Sequence, residues 1–182
     1  EHKEACPNNL APTTSTTMIL ALGDALAITL LEKRGFSKSD YKIFHPGGKL
    51  GQSLLKISEL MHKGDALPAV TADTAIDEAI NVMSVKNFGT LAIIDENNKP
   101  IGILTDGDIR RKINNFTTAK TIQEVMSPNP KTINQDALVG EAMGIMNNIS
   151  GKGRNMTCLL VTDNNGTLAG LIHIHDCLKA GF

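Results

Sequence analysis

From Ile57 onward the chain repeats itself, and a repeat of this length constrains the fold more than any single motif does. Each copy must be one supersecondary unit that buries its apolar face against its twin. Ile57-Ser58-Glu59-Leu60-Met61 returns as Ile122-Gln123-Glu124-Val125-Met126, with the two methionines 65 positions apart. Asp73-Thr74-Ala75-Ile76 matches Asp136-Ala137-Leu138-Val139, and Met83 matches Met146, both at an offset of 63. Ile93-Ile94-Asp95 and Gly102-Ile103-Leu104 match Val161-Thr162-Asp163 and Gly170-Leu171-Ile172, the last at an offset of 68. The drift marks changes in loop length, the larger being an insertion around Ser150-Gly151-Lys152-Gly153-Arg154.

Each copy has the same internal order. Thr74 and Asp77 have capping-box spacing, and Ile76, Ala79, Ile80 and Met83 then recur on one helical face. In the second copy that stripe is Val139, Ala142, Met143 and Met146. Two short apolar runs follow, Leu91 to Ile94 and Ile101 to Leu104, joined by Asp95-Glu96-Asn97-Asn98; the second copy has Leu159 to Val161, Asp163-Asn164-Asn165-Gly166, and Leu168 to Ile172. Both read as hairpins. Asp108 to Ile113 and Asp176 to Ala180 close the copies as second helices. The pattern predicts β-α-β-β-α twice, an α+β pair within the broad α/β class. Two sheets this small, each open at an edge, gain by packing together with pseudo-two-fold symmetry.

The head of the chain has a different grammar. Pro12 and the hydroxyl cluster Thr13-Thr14-Ser15-Thr16-Thr17 precede apolar positions at Met18, Ile19, Leu22, Ala25, Leu26 and Leu30, ending at Lys33-Arg34-Gly35. That is a helix with a cationic last turn and a glycine stop. Helices without a sheet make no core, so the strands this segment should cover are expected in a longer protein, as is a start upstream of Glu1. The expected divisions are 1–56, 57–116 and 117–182.

Composition narrows the function classes. A net charge of -1, from 18 basic and 19 acidic residues without an extended basic run, disfavours nucleic acid as a partner. The longest mainly apolar stretch, Met18 to Leu31, is interrupted by Gly23-Asp24 and Thr29 and reads as too short and too polar to span a bilayer. Three widely spaced cysteines, Cys6, Cys158 and Cys177, argue for a reducing compartment, the cytoplasm.

The repeats resemble cystathionine β-synthase (CBS) domains, the first ending in Gly102-Ile103-Leu104-Thr105-Asp106-Gly107-Asp108. The head resembles the final part of the sugar isomerase (SIS) domain of D-arabinose-5-phosphate isomerases. The residues that carry this likeness are Glu4-Ala5-Cys6-Pro7, Leu10 to Thr17, Gly23-Asp24-Ala25-Leu26-Ala27 and His45-Pro46-Gly47-Gly48-Lys49-Leu50-Gly51. The resemblance implies interconversion of D-ribulose 5-phosphate and D-arabinose 5-phosphate, the entry to 3-deoxy-D-manno-octulosonate (Kdo) for lipopolysaccharide or capsule. It also implies a cytoplasmic homotetramer that needs no metal, with the CBS pair binding a nucleotide or CMP-sugar effector and dimerising in this segment. The first part of such a SIS domain, with its phosphate loop, is missing, so this chain alone is expected to be inactive. The rival reading is a non-catalytic sugar-phosphate or nucleotide sensor.

The resemblance also assigns roles to residues. Glu4 and His45 are the catalytic candidates: a carboxylate of raised pKa suits proton transfer through an enediol, and an imidazole suits proton shuttling during ring opening. Their plainer alternatives are a solvated acid and a histidine on a turn. Thr13, Ser15 and Thr16 offer hydroxyls and a helix N-terminus to a sugar phosphate, or simply cap the helix. Thr105, Asp108 and their counterparts His173 and Asp176 match nucleotide-contact positions, with His175 and Arg154 beside them; Thr105 and Asp108 also form a capping box. Other basic candidates are Lys63, Arg110, Arg111 and Lys152. His173, His175 and Cys177 lack the further ligands a metal site requires, so no metal is expected.

Overall fold

The computed structural model describes residues 3–44, 48–112, 116, 119–147 and 156–182. His45, Ile113, Lys152, Arg154 and the rest of the 150–154 insertion lie outside the described residues. The chain divides into two compact units, Glu1–Pro46 and Gly47–Phe182.

In the first unit the apolar stretch winds into one helix, α1 (Thr14–Lys33), of 20 residues. Gly35 ends it in the left-handed region at φ 64, donating its N–H to the Glu32 carbonyl, while Phe36 donates to Leu31. These are the two bonds of a Schellman stop. Gly23-Asp24 does not interrupt the helix, and Thr29 turns its hydroxyl onto the Ala25 carbonyl at 2.7 Å. The helix thus runs beyond the Met18 to Leu31 stretch at both ends. With a mean hydropathy of 1.5 and none of its residues buried, α1 is long and apolar enough to cross a membrane by length and composition. Ser37 and Asp40 cap the next helix, α2 (Lys38–Phe44), reciprocally: the Asp40 carboxylate accepts from the Ser37 N–H at 2.7 Å and its hydroxyl at 2.6 Å.

The second unit opens with α3 (Lys49–Ser53) and then carries the repeats. The first copy runs β1 (Ala69–Thr71), α4 (Ile76–Lys86), β2 (Thr90–Ile94), β3 (Pro100–Thr105) and α5 (Asp106–Arg111). After β4 (Ser127–Pro128), the second runs β5 (Thr132–Asn134), α6 (Val139–Met146), β6 (Cys158–Thr162), β7 (Leu168–His173) and α7 (Ile174–Lys179). This is the β-α-β-β-α order expected, twice. β1 lies parallel to β2, and β2 antiparallel to β3; β5, β6 and β7 repeat that arrangement. The central strands β2 and β6 are buried along most of their length, which is why they read as continuous apolar runs and not as alternation. The hairpin turns are duplicates. The Asp95 carboxylate accepts from the N–H groups of Asn97 and Lys99, and that of Asp163 from Asn165 and Thr167, all within 2.9 Å.

The opening segment of each copy packs into the other copy. Ile57 and Met61 are buried in a core with Val139, Met146, Leu159 and Ile172, whereas Ile122 and Val125 are buried with Met83, Leu91, Ile93 and Leu104. The backbone repeats the exchange. Ile57 and Ser58 donate to the carbonyls of Ala137 and Gln135, and Ile122 and Gln123 donate to those of Thr74 and Ala72. β4 pairs with β3 across the copies, and His62 bridges Leu171 at the corresponding edge of the other sheet. A third cluster, Ala92, Cys158, Leu160 and Leu171, fills the space between the two sheets.

This exchange also corrects the capping box expected at Thr74. The Thr74 carbonyl is engaged by Ile122 and the next residue, Ala75, bridges Thr121, so the backbone stays extended one residue further. Ala75 becomes the N-cap of α4, with no side-chain cap, and the Thr74 hydroxyl lies 3.2 Å from that of Thr71.

Candidate functional site

In the first unit, the start of α1 is an anion position, and the chain's own carboxylate occupies it. Oε2 of Glu4 accepts from the Thr13 N–H at 2.7 Å, the Ser15 N–H at 3.3 Å and the Thr13 hydroxyl at 3.0 Å. Unpaired N–H groups at a helix N-terminus favour negative charge. Hydrogen bonding by Ser15, then by the Thr13 backbone, holds the Glu4 carboxyl down at about 2. This is the opposite of the raised value expected of a general base. Thr13 also accepts from the Ala5 N–H at 2.8 Å, while Thr16 and Thr17 direct their hydroxyls to the Thr13 carbonyl. The hydroxyl cluster thus binds its own helix and Glu4. A shallow pocket of about 320 Å³ beside it is lined by Ala5, Thr13, Thr14, Thr17 and Met18.

In the second unit, the candidate nucleotide residues sit at two equivalent strand-to-helix junctions. At the first, Thr105 ends β3 and caps α5. Its Oγ1 donates to Asp108 Oδ2 at 2.6 Å and accepts from the Asp108 N–H at 3.2 Å, while Oδ2 accepts from the Thr105 N–H at 3.1 Å. Arg111, one turn on, holds Oδ1 at 2.6 Å. Asp108 is 8% exposed. Burial opposes its ionisation, but the bonds from Thr105 and Arg111 outweigh burial and keep the carboxyl below its ordinary range.

At the second junction His173 takes the place of Thr105 and caps α7 through its ring. Nδ1 accepts from the His175 N–H at 3.1 Å, and the two imidazoles lie 4.9 Å apart. Burial, reinforced by His175, lowers the His173 pKa. Asp176, the counterpart of Asp108, does not close a capping box. Its Oδ2 lies 2.8 Å from Nε2 of His62, on the opening segment of the other copy. His62 in turn packs against the Phe88 ring, centroid to centroid 4.7 Å. Burial, then the Asp176 charge, pushes the Cys177 thiol up to about 11. Among the described residues no cluster of three or more His, Cys, Asp or Glu is arranged to hold a metal ion.

The structure therefore brings His173, His175 and Asp176 together, places Thr105 and Asp108 at the matching junction, and adds three groups that sequence reasoning missed or left undirected: His62, Phe88 and Arg111. His45 and Arg154 lie outside the described residues. A cavity of about 670 Å³ is a separate feature. It opens between Asp65 and Leu67, the α4 residues Val82 and Lys86, and the hairpin residues Asn98 and Leu168.

Comparison with known proteins adds an independent line. The model of the CBS domain matches residues 57–115 and 122–182. Arabinose 5-phosphate isomerase KdsD of Pseudomonas aeruginosa is 43% identical over 98% of this chain and 54% of its own length. The protein of the same name from Salmonella typhi is 42% identical over the same shares. The chain thus spans about half the length of the curated relatives it matches. Among solved structures, the CBS-pair protein CBSX2 from Arabidopsis thaliana is 21% identical with a TM-score of 0.57, covering 69% of this chain and 93% of that one. CBSX2 has also been solved in complex with AMP. The CBS domain pair of protein MJ0100, in complex with 5′-methylthioadenosine and S-adenosyl-L-methionine, is 23% identical with a TM-score of 0.58 over 69% of this chain and 94% of that one. These structural likenesses carry the fold.

Proposed function

Because the chain belongs to the CBS-domain family, matched over both repeats, we propose that residues 47–182 are the regulatory nucleotide-binding half of a D-arabinose-5-phosphate isomerase. Residues 1–46 are then the end of its catalytic SIS domain. The observation that supports this reading best is the 43% identity to arabinose 5-phosphate isomerase KdsD, which runs across the head as well as the repeats. The exposed apolar surface of α1 fits the same reading, since the remainder of such a domain would cover it.

The reaction moves a proton between adjacent sugar carbons: a base takes it from the carbon next to the carbonyl, an enediol forms, and the proton returns to the neighbouring carbon. Glu4 and His45 are the residues of this chain assigned to that transfer. Glu4 can serve as a base in the intact enzyme only where substrate draws it off the N–H groups of α1. The protein is cytoplasmic, homotetrameric when intact and dimeric through its CBS pair in this segment, and it works in the Kdo route to lipopolysaccharide or capsule.

At the two junctions, Thr105 with Asp108 and His173 with Asp176 receive the phosphate and ribose of a nucleotide, with His175 alongside; Arg154 is a further candidate contact by sequence. AMP, adenosine derivatives and a CMP-sugar are the effector classes. A thermal-shift series with AMP, ATP, CMP and a CMP-sugar tests this half. A ligand at a hundredfold its dissociation constant should add about 2.7 kcal/mol, and no shift with any of them refutes it. The catalytic half is tested in a chain extended upstream to the full length of the relatives, where His45→Ala should abolish isomerisation.

The capped state of Glu4 favours a second reading, a non-catalytic sugar-phosphate or nucleotide sensor. In that case the extended chain shows no isomerisation with or without His45.

A further inference from the structure

Asp108 and Asp176 occupy equivalent places in the two repeats, yet they are held in different ways. Arg111 ties Asp108 from within its own short helix. Asp176 is tied by a residue of the other repeat, His62, at 2.8 Å. The backbone of His62 is fixed, since it exchanges hydrogen bonds with Leu171 at 2.9 and 3.1 Å. Its side chain is 34% exposed and its ring lies tilted against that of Phe88, so the imidazole, unlike the backbone, is reachable from solvent.

We propose that His62 is a proton-operated latch on the ligand position of the second repeat, which a ribose-bearing ligand must displace to reach Asp176. This rests on the nucleotide reading above. An imidazolium bound to a carboxylate makes a charge-assisted hydrogen bond, roughly twice as strong as the neutral one. The latch is therefore tighter with the proton on His62 than without it. The other titratable or charged groups around the pair are His173, His175, Cys177 and Lys179 from the β7–α7 side, Cys158 from β6, and Lys63 on the segment of His62 itself. Among these, a proton on Nδ1 of His173 would break its cap to His175 and is opposed by burial and by the His175 charge, against the pull of Asp176.

Calorimetric titration of the 182-residue chain with 5′-methylthioadenosine, which has no group titrating between about pH 5.5 and 8.5, tests the latch. Affinity should rise with pH, by up to about tenfold per unit on the acid side, and binding near pH 6 should release a proton to the buffer. His62→Gln keeps a hydrogen-bonding group for Asp176 but cannot hold the charge. It should bind with a flat pH profile, without proton release, and at least about tenfold tighter than the parent at the acid end. A flat profile in the parent chain, or the same slope in His62→Gln, overturns the latch and leaves nucleotide binding standing. No binding in either protein at any pH overturns both.

Discussion

Met126 lies over Gly102 so closely that a methyl group on the glycine would stand 2.3 Å from its sulfur. Met61 and Gly170 repeat the arrangement in the other sheet at 2.5 Å. Each methionine belongs to the opening segment of one copy and each glycine to the hairpin of the other, so at both pairs an exchanged segment presses directly on a backbone without a side chain.

The two glycines should not tolerate alanine equally. At Gly102 only the flexible Met126 side chain obstructs a Cβ, whereas at Gly170 the His62 carbonyl, fixed in its bridge, stands 2.8 Å away as well. Gly170→Ala is expected to cost about 1–3 kcal/mol in urea unfolding, and Gly102→Ala clearly less. Shortening the methionine in Gly102→Ala/Met126→Ala should recover part of the loss through coupling between the two sites. Equal costs for the two alanine variants would contradict this account.

Ile122 belongs to the second copy by sequence and to the first by packing, where it is wholly buried among Leu91, Ile93 and Leu104. Ile122→Ala should therefore lower stability by about 2–5 kcal/mol. Amide hydrogen exchange should report the loss of protection first in β2 and β3. Loss confined to β6 and β7 would show that the segment packs at home.

Glu4 supplies a pH dependence for the first unit. Its carboxyl is held at about 2, below the ordinary 4.5, so its stabilising contribution is complete above pH 4.5 and disappears as the pH falls through 2. Amide NMR signals at the start of α1 should shift or broaden over that acid window. In Glu4→Gln the window should vanish, leaving the helix start frayed at neutral pH as well.

At the first junction the cap should be measurable apart from any ligand. Thr105→Ala removes both the acceptor for the Asp108 N–H and the donor to its carboxylate, at an expected cost of about 0.5–2 kcal/mol, and Thr105→Ser should restore most of it. Replacing Arg111 with Met should move the Asp108 titration, followed by carboxyl NMR, to higher pH, because one of the bonds that favour its charged form is gone.

The features legible in the sequence are those whose causes lie close along the chain. The Asp95 and Asp163 turns are local, each aspartate bonding N–H groups two and four residues on, and the Thr105–Asp108 box spans three. The repeat also exposed Met61, Met126, Gly102 and Gly170 as matched positions, though not the contact that explains them. What escaped depends on long-range placement. The partner of His62 is 114 positions away, and nothing around His62 signals it. Aligning it with Ser127 through the repeat would have placed it on a sheet edge shared by both copies. Thr74 failed as a cap because a remote segment claimed its carbonyl. The environment of Glu4 was not legible either, because it is a helix start nine positions downstream whose N–H groups hold the carboxyl's pKa down.

The reciprocal burial of Ile57 and Ile122 also bears on how such a chain arises. A lone repeat has no segment of its own to complete its core, and could acquire one only by lending its opening residues to an identical molecule and borrowing theirs. The tandem chain supplies within one polypeptide what a lone repeat would have to borrow. Within one continuous chain the two copies need not match residue for residue, and they hold their equivalent aspartates differently, Asp108 by Arg111 and Asp176 by His62.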